Sequence, residues 1–328
     1  MNRQHDGIHV LRTLSCFMVI LLHISATYYY QFSDKWNAAV FFDCFTKACV
    51  PVFIMITGYL SMDNQVNAVS FYRKRFGKIA LPILFFSLVY YLMKNDSIVA
   101  FPKALMYGPT EYHLWYMYML CGLYLIMPFL QKIWFNSSLQ EKTIIVGVWF
   151  FLHSAFPALN ILSITVINPL DLFYLTNAGL WGYVFLGAYL KQIRKIHPFL
   201  CFIIFVIPSA LMVYSTKVSS EIAGTPTAPF MYNLSMLTLI ASVGIFMGLR
   251  DIKMRWLKPL IIQASRCSFG IYLIHVLIIK WVEGAIPSEV YNISPWLMMP
   301  LIATIVFSVS LVIIYLLRRV KFVEKLVG

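Results

Sequence analysis

Long apolar runs recur along the whole chain and are separated by short polar breaks. A bilayer has a hydrocarbon core of about 30 Å, which a helix of about 20 apolar residues crosses. Because lipid offers no hydrogen-bonding partners, each crossing must satisfy its own backbone groups, and this favours helices. The runs predict about ten transmembrane helices, at roughly 10–30, 38–60, 79–93, 113–130, 143–158, 174–190, 199–215, 232–249, 261–282 and 295–317.

The composition agrees with this pattern. Hydrophobic residues make up 60% of the chain and charged residues 12%, and the mean hydropathy is +0.76. This apolar share is well above that of a soluble domain. We therefore predict an all-α integral membrane protein, with residues 1–328 forming a single transmembrane domain and no separate soluble domain.

The net charge of +13 raises the question of a nucleic-acid partner. Most of the 26 basic residues, however, fall in alternate polar breaks, on the same side as the N-terminus. An excess of lysine and arginine marks the cytoplasmic side of a membrane protein. The distribution predicts that both termini are cytoplasmic and that the partners are membrane lipids, with no nucleic acid. A homo-oligomer stays open, because lipid-facing and partner-facing surfaces look alike in sequence.

The first apolar run carries two ionisable residues, Arg12 and His23. Eleven residues at about 100° each come close to three helical turns, so both side chains point the same way, roughly 16 Å apart along the helix. Arg12 would lie at the cytoplasmic end and His23 about halfway into the hydrocarbon core. An ionisable group at that depth is costly, and it indicates a functional site.

A basic cluster precedes the third apolar run, where Arg73, Lys74, Arg75 and Lys78 fall within six positions. Two interpretations stay open. The cluster is either a topology signal that keeps this end of the helix in the cytoplasm, or an anion site in which cations and free N–H groups at a helix N-terminus bind a phosphate-bearing ligand.

Two later segments combine histidine with aromatic or hydroxyl residues. His113 and Trp115 begin the fourth run, where an interfacial aromatic belt explains the tryptophan and an interfacial histidine is most often structural. In the ninth run Ser268, Tyr272 and His275 are spaced by four and three residues, so they share one helical face. A polar stripe on a membrane helix faces protein or a water-filled cavity.

We predict structural roles for an aspartate, a lysine and the cysteines in or next to the apolar runs. Asp43 and Lys47 are four residues apart, which predicts an ion pair along one helix face. The six cysteines lie in or next to apolar runs, with no Cys-x-x-Cys pair and no nearby histidine at zinc spacing. We predict that they pack as small apolar residues and that the protein binds no metal.

These motifs together resemble the acyltransferase 3 family of membrane O-acyltransferases. The matching segments, in the same order and spacing, are Arg12-x10-His23, Pro51-Val52-Phe53 through Thr57-Gly58-Tyr59-Leu60, the basic stretch Arg73–Pro82, His113-Leu114-Trp115-Tyr116 and Ser268-x3-Tyr272-x2-His275. The resemblance covers nearly the whole chain. It departs from the family pattern at His9 and Thr13, where many members have Asp and Gly, and at Lys78, where Arg is common.

The resemblance implies ten membrane helices in a bacterial inner membrane, acetyl-coenzyme A as the cytoplasmic donor, and a cell-surface polysaccharide or lipid-linked sugar as the acceptor. It implies that His23 is the catalytic histidine and that Arg12 belongs to the same motif. The positions it implies for the donor are Arg12, Arg73, Arg75 and Lys78, and those for substrate or supporting roles are His113, Trp115, Ser268, Tyr272 and His275.

The chemistry of the residues fits this expectation and leaves alternatives. A neutral imidazole suits the removal of a proton from a sugar hydroxyl that attacks a thioester, and an acetyl-histidine relay is the second route. Transfer of a succinyl group is an alternative within the family. A transporter or flippase of a lipid-linked sugar would use Arg12 and His23 in a translocation path, although we find no clear internal repeat. The third functional class is a polysaccharide assembly protein that catalyses no reaction.

Overall fold

A computed structural model describes residues 6–95, 97–162, 179–285, 287, 289–290 and 293–327. Within these ranges the chain is helical and contains no strand. Short 3-10 turns lie at Tyr112–Leu114 and Gly179–Trp181, and a π-helical turn at Phe151–Ala155. The α-helices are α1 (Asp6–Ala26), α2 (Trp36–Thr46), α3 (Cys49–Ser61), α4 (Ala68–Leu92), α5 (Phe101–Tyr107), α6 (Trp115–Asn136), α7 (Leu139–Phe150), α8 (Phe156–Ile161), α9 (Gly182–Gln192), α10 (Pro198–Ala223), α11 (Met236–Leu249), α12 (Lys258–Ala285), α13 (Pro295–Leu317) and α14 (Lys321–Val327).

In the described part of the chain, eight helical segments are long and apolar enough to cross a membrane, and all eight coincide with predicted runs. The predicted run 232–249 forms the shorter helix α11. The predicted run 174–190 begins outside the described residues and continues as α9. The all-α integral membrane class is therefore confirmed, and the cytoplasmic placement of both termini stays a prediction.

Helix α1 lies at the centre of the fold, packed against α2, α3, α12 and α13. Two side chains near its N-terminal end tie it to α12. His9 Nδ1 lies 2.9 Å from Ser265 Oγ, and Thr13 Oγ1 donates a hydrogen bond to the carbonyl oxygen of Ile261 at 3.2 Å. The residues that depart from the family pattern therefore stabilise an interface between helices far apart in sequence.

Two glycines let α3 and α9 approach closely. A Cβ atom at Gly58 would lie 1.9 Å from the carbonyl oxygen of Val184, and one at Gly187 would lie 2.1 Å from that of Met55. Membrane helices gain most of their association energy from close packing, which small residues make possible. The contact fixes α3, whose Thr57 lines a cavity described below.

Pro51 explains why one membrane-crossing segment, Trp36–Ser61, is divided into α2 and α3. Proline has no N–H to donate to the carbonyl group four residues earlier, here that of Lys47. The helix is interrupted at Lys47 and Ala48. Just before the interruption, Asp43 Oδ2 lies 3.0 Å from Lys47 Nζ, so the predicted ion pair is confirmed.

Candidate active site

Four ring side chains from three parts of the chain meet in the interior, and we call His23, His113, Tyr272 and His275 the ring cluster. The rings of His23 and His275 stack, with centroids 5.2 Å apart and planes 24° apart. The ring of His113 lies 4.9 Å from that of His275, and Tyr272 lies 5.5 Å from His275. His113 and His275 are fully buried, whereas His23 is partly exposed. The fold thus brings together four of the predicted site residues.

Backbone hydrogen bonds orient the cluster. The hydroxyl of Tyr272 donates to the carbonyl oxygen of His113, and Nδ1 of His275 lies 2.6 Å from the carbonyl oxygen of Tyr272. Because a carbonyl oxygen only accepts, Nδ1 of His275 carries a hydrogen, and in the neutral imidazole Nε2 then carries the lone pair. That Nε2 is buried and has no hydrogen-bond partner of normal geometry among the described residues.

A buried carboxylate anchors the 3-10 turn that carries His113. Glu111 Oε2 lies 3.1 Å from Lys94 Nζ and 3.0 Å from Lys280 Nζ. Burial raises the pKa of Glu111, but the hydrogen bonds and charges of Lys280 and Lys94 outweigh this effect, so the pKa lies below its ordinary value of 4.5. The two ion pairs hold the turn between the end of α4 and the end of α12.

One cavity of about 570 Å³ opens beside His23, and we call it the His23 cavity. Its polar wall contains an imidazole, an ion pair and tyrosine rings, whereas the rest of the wall is apolar. The lining residues are Leu22, His23, Ala26, Thr27, Tyr29, Tyr30, Asp43, Lys47, Tyr112, Ala228 and Met231. A cavity with a few polar groups in an apolar wall is typical of a small-molecule site.

A second cavity of about 370 Å³, which we call the basic cavity, is lined by five cations: Arg12, Arg75, Lys78, Arg266 and Arg318. None of the described residues that line it is a carboxylate. The guanidinium group of Arg75 lies 5.6 Å from the centroids of the Phe71 and Tyr124 rings, which holds it in place. Several cations without a carboxylate favour a ligand with more than one negative charge.

The ring cluster lies between the two cavities. Tyr272 lines the basic cavity, His23 lines the His23 cavity, and both rings contact that of His275. Ser268, one turn before Tyr272, also lines the basic cavity. Arg12 and His23 therefore lie on one helix with one residue in each cavity, and the ring cluster lies between those cavities.

Two predicted site residues lie outside both cavities and outside the ring cluster. Arg73 is exposed on α4 and is not among the residues that line the basic cavity, unlike Arg75 two positions later. The side chain of Trp115 is 37% exposed, and its ring lies 6.2 Å from that of Tyr116. Position within a motif does not tell which way a side chain points, and the packing of α4 and α6 decides it.

Sequence reasoning missed two cations of the basic cavity, Arg266 and Arg318. Both were visible only as basic residues at the predicted cytoplasmic side. Arg318 donates a hydrogen bond to the carbonyl oxygen of Arg266 at 2.7 Å, which links α12 to the end of α13. Their predicted cytoplasmic side could therefore have suggested both arginines as candidates for the donor site. Only the packing of these helices shows that they share one cavity.

These features define a multi-pass membrane protein whose buried histidine site lies between a cavity lined by cations and a second, mixed cavity. The profile of the acyltransferase 3 family, described as an acyltransferase domain, matches residues 5–319. The chain belongs to this family and is a membrane acyltransferase. No curated protein and no solved structure matches it. Among the described residues, no group of three or more His, Cys, Asp or Glu side chains is arranged to hold a metal ion.

Proposed function

We propose that the protein transfers an acetyl group from acetyl-coenzyme A to a hydroxyl group of a cell-surface polysaccharide or lipid-linked sugar in a bacterial inner membrane. The observation that carries this proposal is the placement of the ring cluster between a cavity of cations and a cavity that contains an imidazole. A phosphate-bearing donor suits the first cavity, and a hydroxyl-bearing acceptor suits the second.

The basic cavity fits the donor through charge. Coenzyme A carries several phosphate oxygens, and arginine forms paired, charge-assisted hydrogen bonds with phosphate. Arg12, Arg75, Arg266 and Arg318, together with Lys78, would hold these groups. With the predicted topology this cavity faces the cytoplasm, where acetyl-coenzyme A is made. The thioester would then reach toward Tyr272 and the ring cluster.

In the direct route His23 acts as the general base. The acceptor hydroxyl loses its proton to His23, its oxygen forms a bond to the acetyl carbon, and the bond from that carbon to sulfur breaks. The proton on His23 then goes to the thiolate of coenzyme A, so the imidazole is regenerated. His275, stacked on His23, would keep the base in position.

In the relay route a nitrogen of His23 attacks the acetyl carbon, the carbon–sulfur bond breaks, and the thiolate of coenzyme A leaves and takes up the imidazole proton. The acceptor oxygen then bonds to the acetyl carbon as the carbon–nitrogen bond breaks, and the hydroxyl proton returns to the imidazole. The separation of the two cavities by the ring cluster favours this route, since donor and acceptor would approach His23 from opposite sides. A brief incubation with labelled acetyl-coenzyme A and no acceptor distinguishes the two routes. Rapid denaturation without acid, because an acyl-imidazole hydrolyses in acid, would leave label on the protein in the relay route only.

The acceptor and the acyl group rest on the family resemblance. As part of this proposal we carry over the resemblance of the chain to the O-acetyltransferase that modifies enterobacterial common antigen. A lipid-linked polysaccharide is therefore the first acceptor to assay. Succinyl-coenzyme A, offered as a competing donor, tests whether the protein is an O-succinyltransferase.

The proposal is tested with purified protein in liposomes, labelled acetyl-coenzyme A and a membrane extract that contains lipid-linked sugars. We expect label in the sugar fraction with the wild type and none above background with His23→Ala. A folded wild type that neither transfers nor hydrolyses the donor would overturn the proposal. Movement of lipid-linked sugar across the liposome membrane without acylation would instead support a flippase.

A further inference from the structure

The Asp43–Lys47 ion pair forms part of the wall of the His23 cavity. Lys47 Nζ lies 3.2 Å from Oδ1 and 3.0 Å from Oδ2 of Asp43, so both contacts go to one carboxylate. An ammonium group has three donors, which leaves at least one for the cavity. The side chains of Lys47 and Asp43 are 17% and 5% exposed, so the pair is shielded yet reachable from the cavity.

A purely structural role accounts poorly for this pair. A pair spaced by four residues on a helix stabilises it by only about 0.3–0.5 kcal/mol. Removing two charges from water costs several kcal/mol per ion, and apolar replacements of buried pairs are often neutral or stabilising. The pair joins neighbouring turns of one segment, and in the described part of the chain neither residue forms a salt bridge with another helix. Its position beside His23 therefore points to a ligand.

The chemistry of the pair selects a class of ligand. The Asp43 carboxylate accepts hydrogen bonds and the Lys47 ammonium donates them, and a sugar hydroxyl does both. The rings of Tyr29 and Tyr112 line the same cavity and offer apolar faces to the sugar ring. A few polar groups in an otherwise apolar wall fix the orientation of a ligand.

Resting on the proposed function, we infer that Asp43 and Lys47 bind hydroxyl groups of the sugar acceptor and decide which hydroxyl reaches His23. A site built to hydrogen-bond a hydroxyl group strongly rejects an analogue without it, because its own polar groups are then left unpaired. The pair is thus a determinant of acceptor specificity. It has no part in binding the donor, which occupies the other cavity.

The test measures the KM values for donor and acceptor separately in the liposome assay, with lipid-linked saccharide extract as the acceptor. Lys47→Met removes the donor group, and a double variant, Asp43→Lys with Lys47→Asp, keeps a pair of reversed order. Lys191→Met is the matched control, because it breaks an exposed pair with Asp63 (2.5 Å) outside both cavities.

We expect Lys47→Met to raise the acceptor KM by about 10- to 100-fold, as the loss of a charged hydrogen bond implies, with an unchanged donor KM. The melting temperature of this variant should fall, because the buried carboxylate of Asp43 loses its partner. The reversed pair should melt like the wild type and still have a raised acceptor KM. The Lys191→Met control should match the wild type in all three quantities.

Two results would overturn the inference while leaving the proposed function intact: an acceptor KM within twofold of wild type for Lys47→Met, or full recovery of that KM by the reversed pair. If Lys47→Met does not fold, the acceptor KM of Lys47→Arg is measured instead, since this variant keeps the charge but changes the geometry of the hydrogen-bond donors. An unchanged acceptor KM for that variant also refutes the role. A wild type without any transfer overturns the inference and the proposed function together.

Discussion

Replacing His23 by alanine tests the centre of the proposed mechanism. The ring of His23 contacts those of Tyr112, His113 and His275, and its exposed side faces the His23 cavity. The fold should therefore survive the change, while the base or acyl carrier is lost. General-base catalysis contributes about 10²- to 10⁴-fold in rate, which corresponds to about 3–5 kcal/mol of transition-state stabilisation. We expect kcat to fall by that factor and the donor KM to stay the same.

The control is His153→Ala. His153 is also buried, but it lies in the π-helical turn and lines a separate apolar cavity next to Trp149. We expect this variant to transfer acetyl groups within about twofold of wild type, a change too small to indicate loss of a catalytic group. Because the His23 cavity adjoins the space left by the removed ring, added imidazole should also restore part of the activity of His23→Ala.

Rates of initial label transfer under saturating donor and acceptor decide the outcome, with melting temperatures as a check on folding. A loss of less than tenfold in His23→Ala would refute the assignment of His23 as base or relay. An equal loss in both histidine variants would show that damage to the fold, and not missing chemistry, explains the result. A lack of rescue by imidazole would count against a simple proton-transfer role.

Three further predictions concern the donor, the anchor of His113 and the fold. Arg75→Gln should raise the donor KM by about 10- to 100-fold, the value of a charged hydrogen bond, while Arg73→Gln, exposed beside it, should change it little; equal effects would refute the assignment of the basic cavity to the donor. Glu111→Gln should lower the melting temperature at neutral pH. The loss in the free energy of unfolding should be no more than about 1 kcal/mol per ion pair, because both lysines are half exposed. Since the folded pKa of Glu111 is depressed below 4.5, this stabilisation is present above that pH and disappears as the pH falls through the folded value. The melting temperatures of the wild type and Glu111→Gln should therefore converge as the pH falls further below 4.5. Gly187→Val should destabilise the fold by about 1–3 kcal/mol through overpacking against the Met55 carbonyl. Gly147→Ala, whose Cβ would meet no atom beyond its own stretch of helix within 4 Å, should melt at the wild-type temperature or slightly above it.

The membrane class and eight of the helices follow from hydropathy, because a bilayer imposes length and apolarity directly on the sequence. Helical periodicity also placed Ser268 and Tyr272 on one face, and both line the basic cavity. Periodicity is a property of a single helix, however. The contact between Arg318 and Arg266 depends on how α12 and α13 pack, and small residues and shape complementarity fix that packing. Such contacts have no signature in one sequence.

The positions of the two cavities explain the spacing of Arg12 and His23 along α1. A donor held by its phosphates at Arg12 has its charged end fixed at one end of α1, so only the uncharged arm with the thioester needs to approach the ring cluster. The buried rings of His113 and His275 exclude water there, which protects a thioester from hydrolysis. In the proposed reaction the acceptor hydroxyl would reach His23 from the other cavity. The layer of rings between the cavities would keep the water of that cavity away from the thioester until the acetyl group is transferred, and the helix that carries both residues sets the distance over which the acyl group must travel.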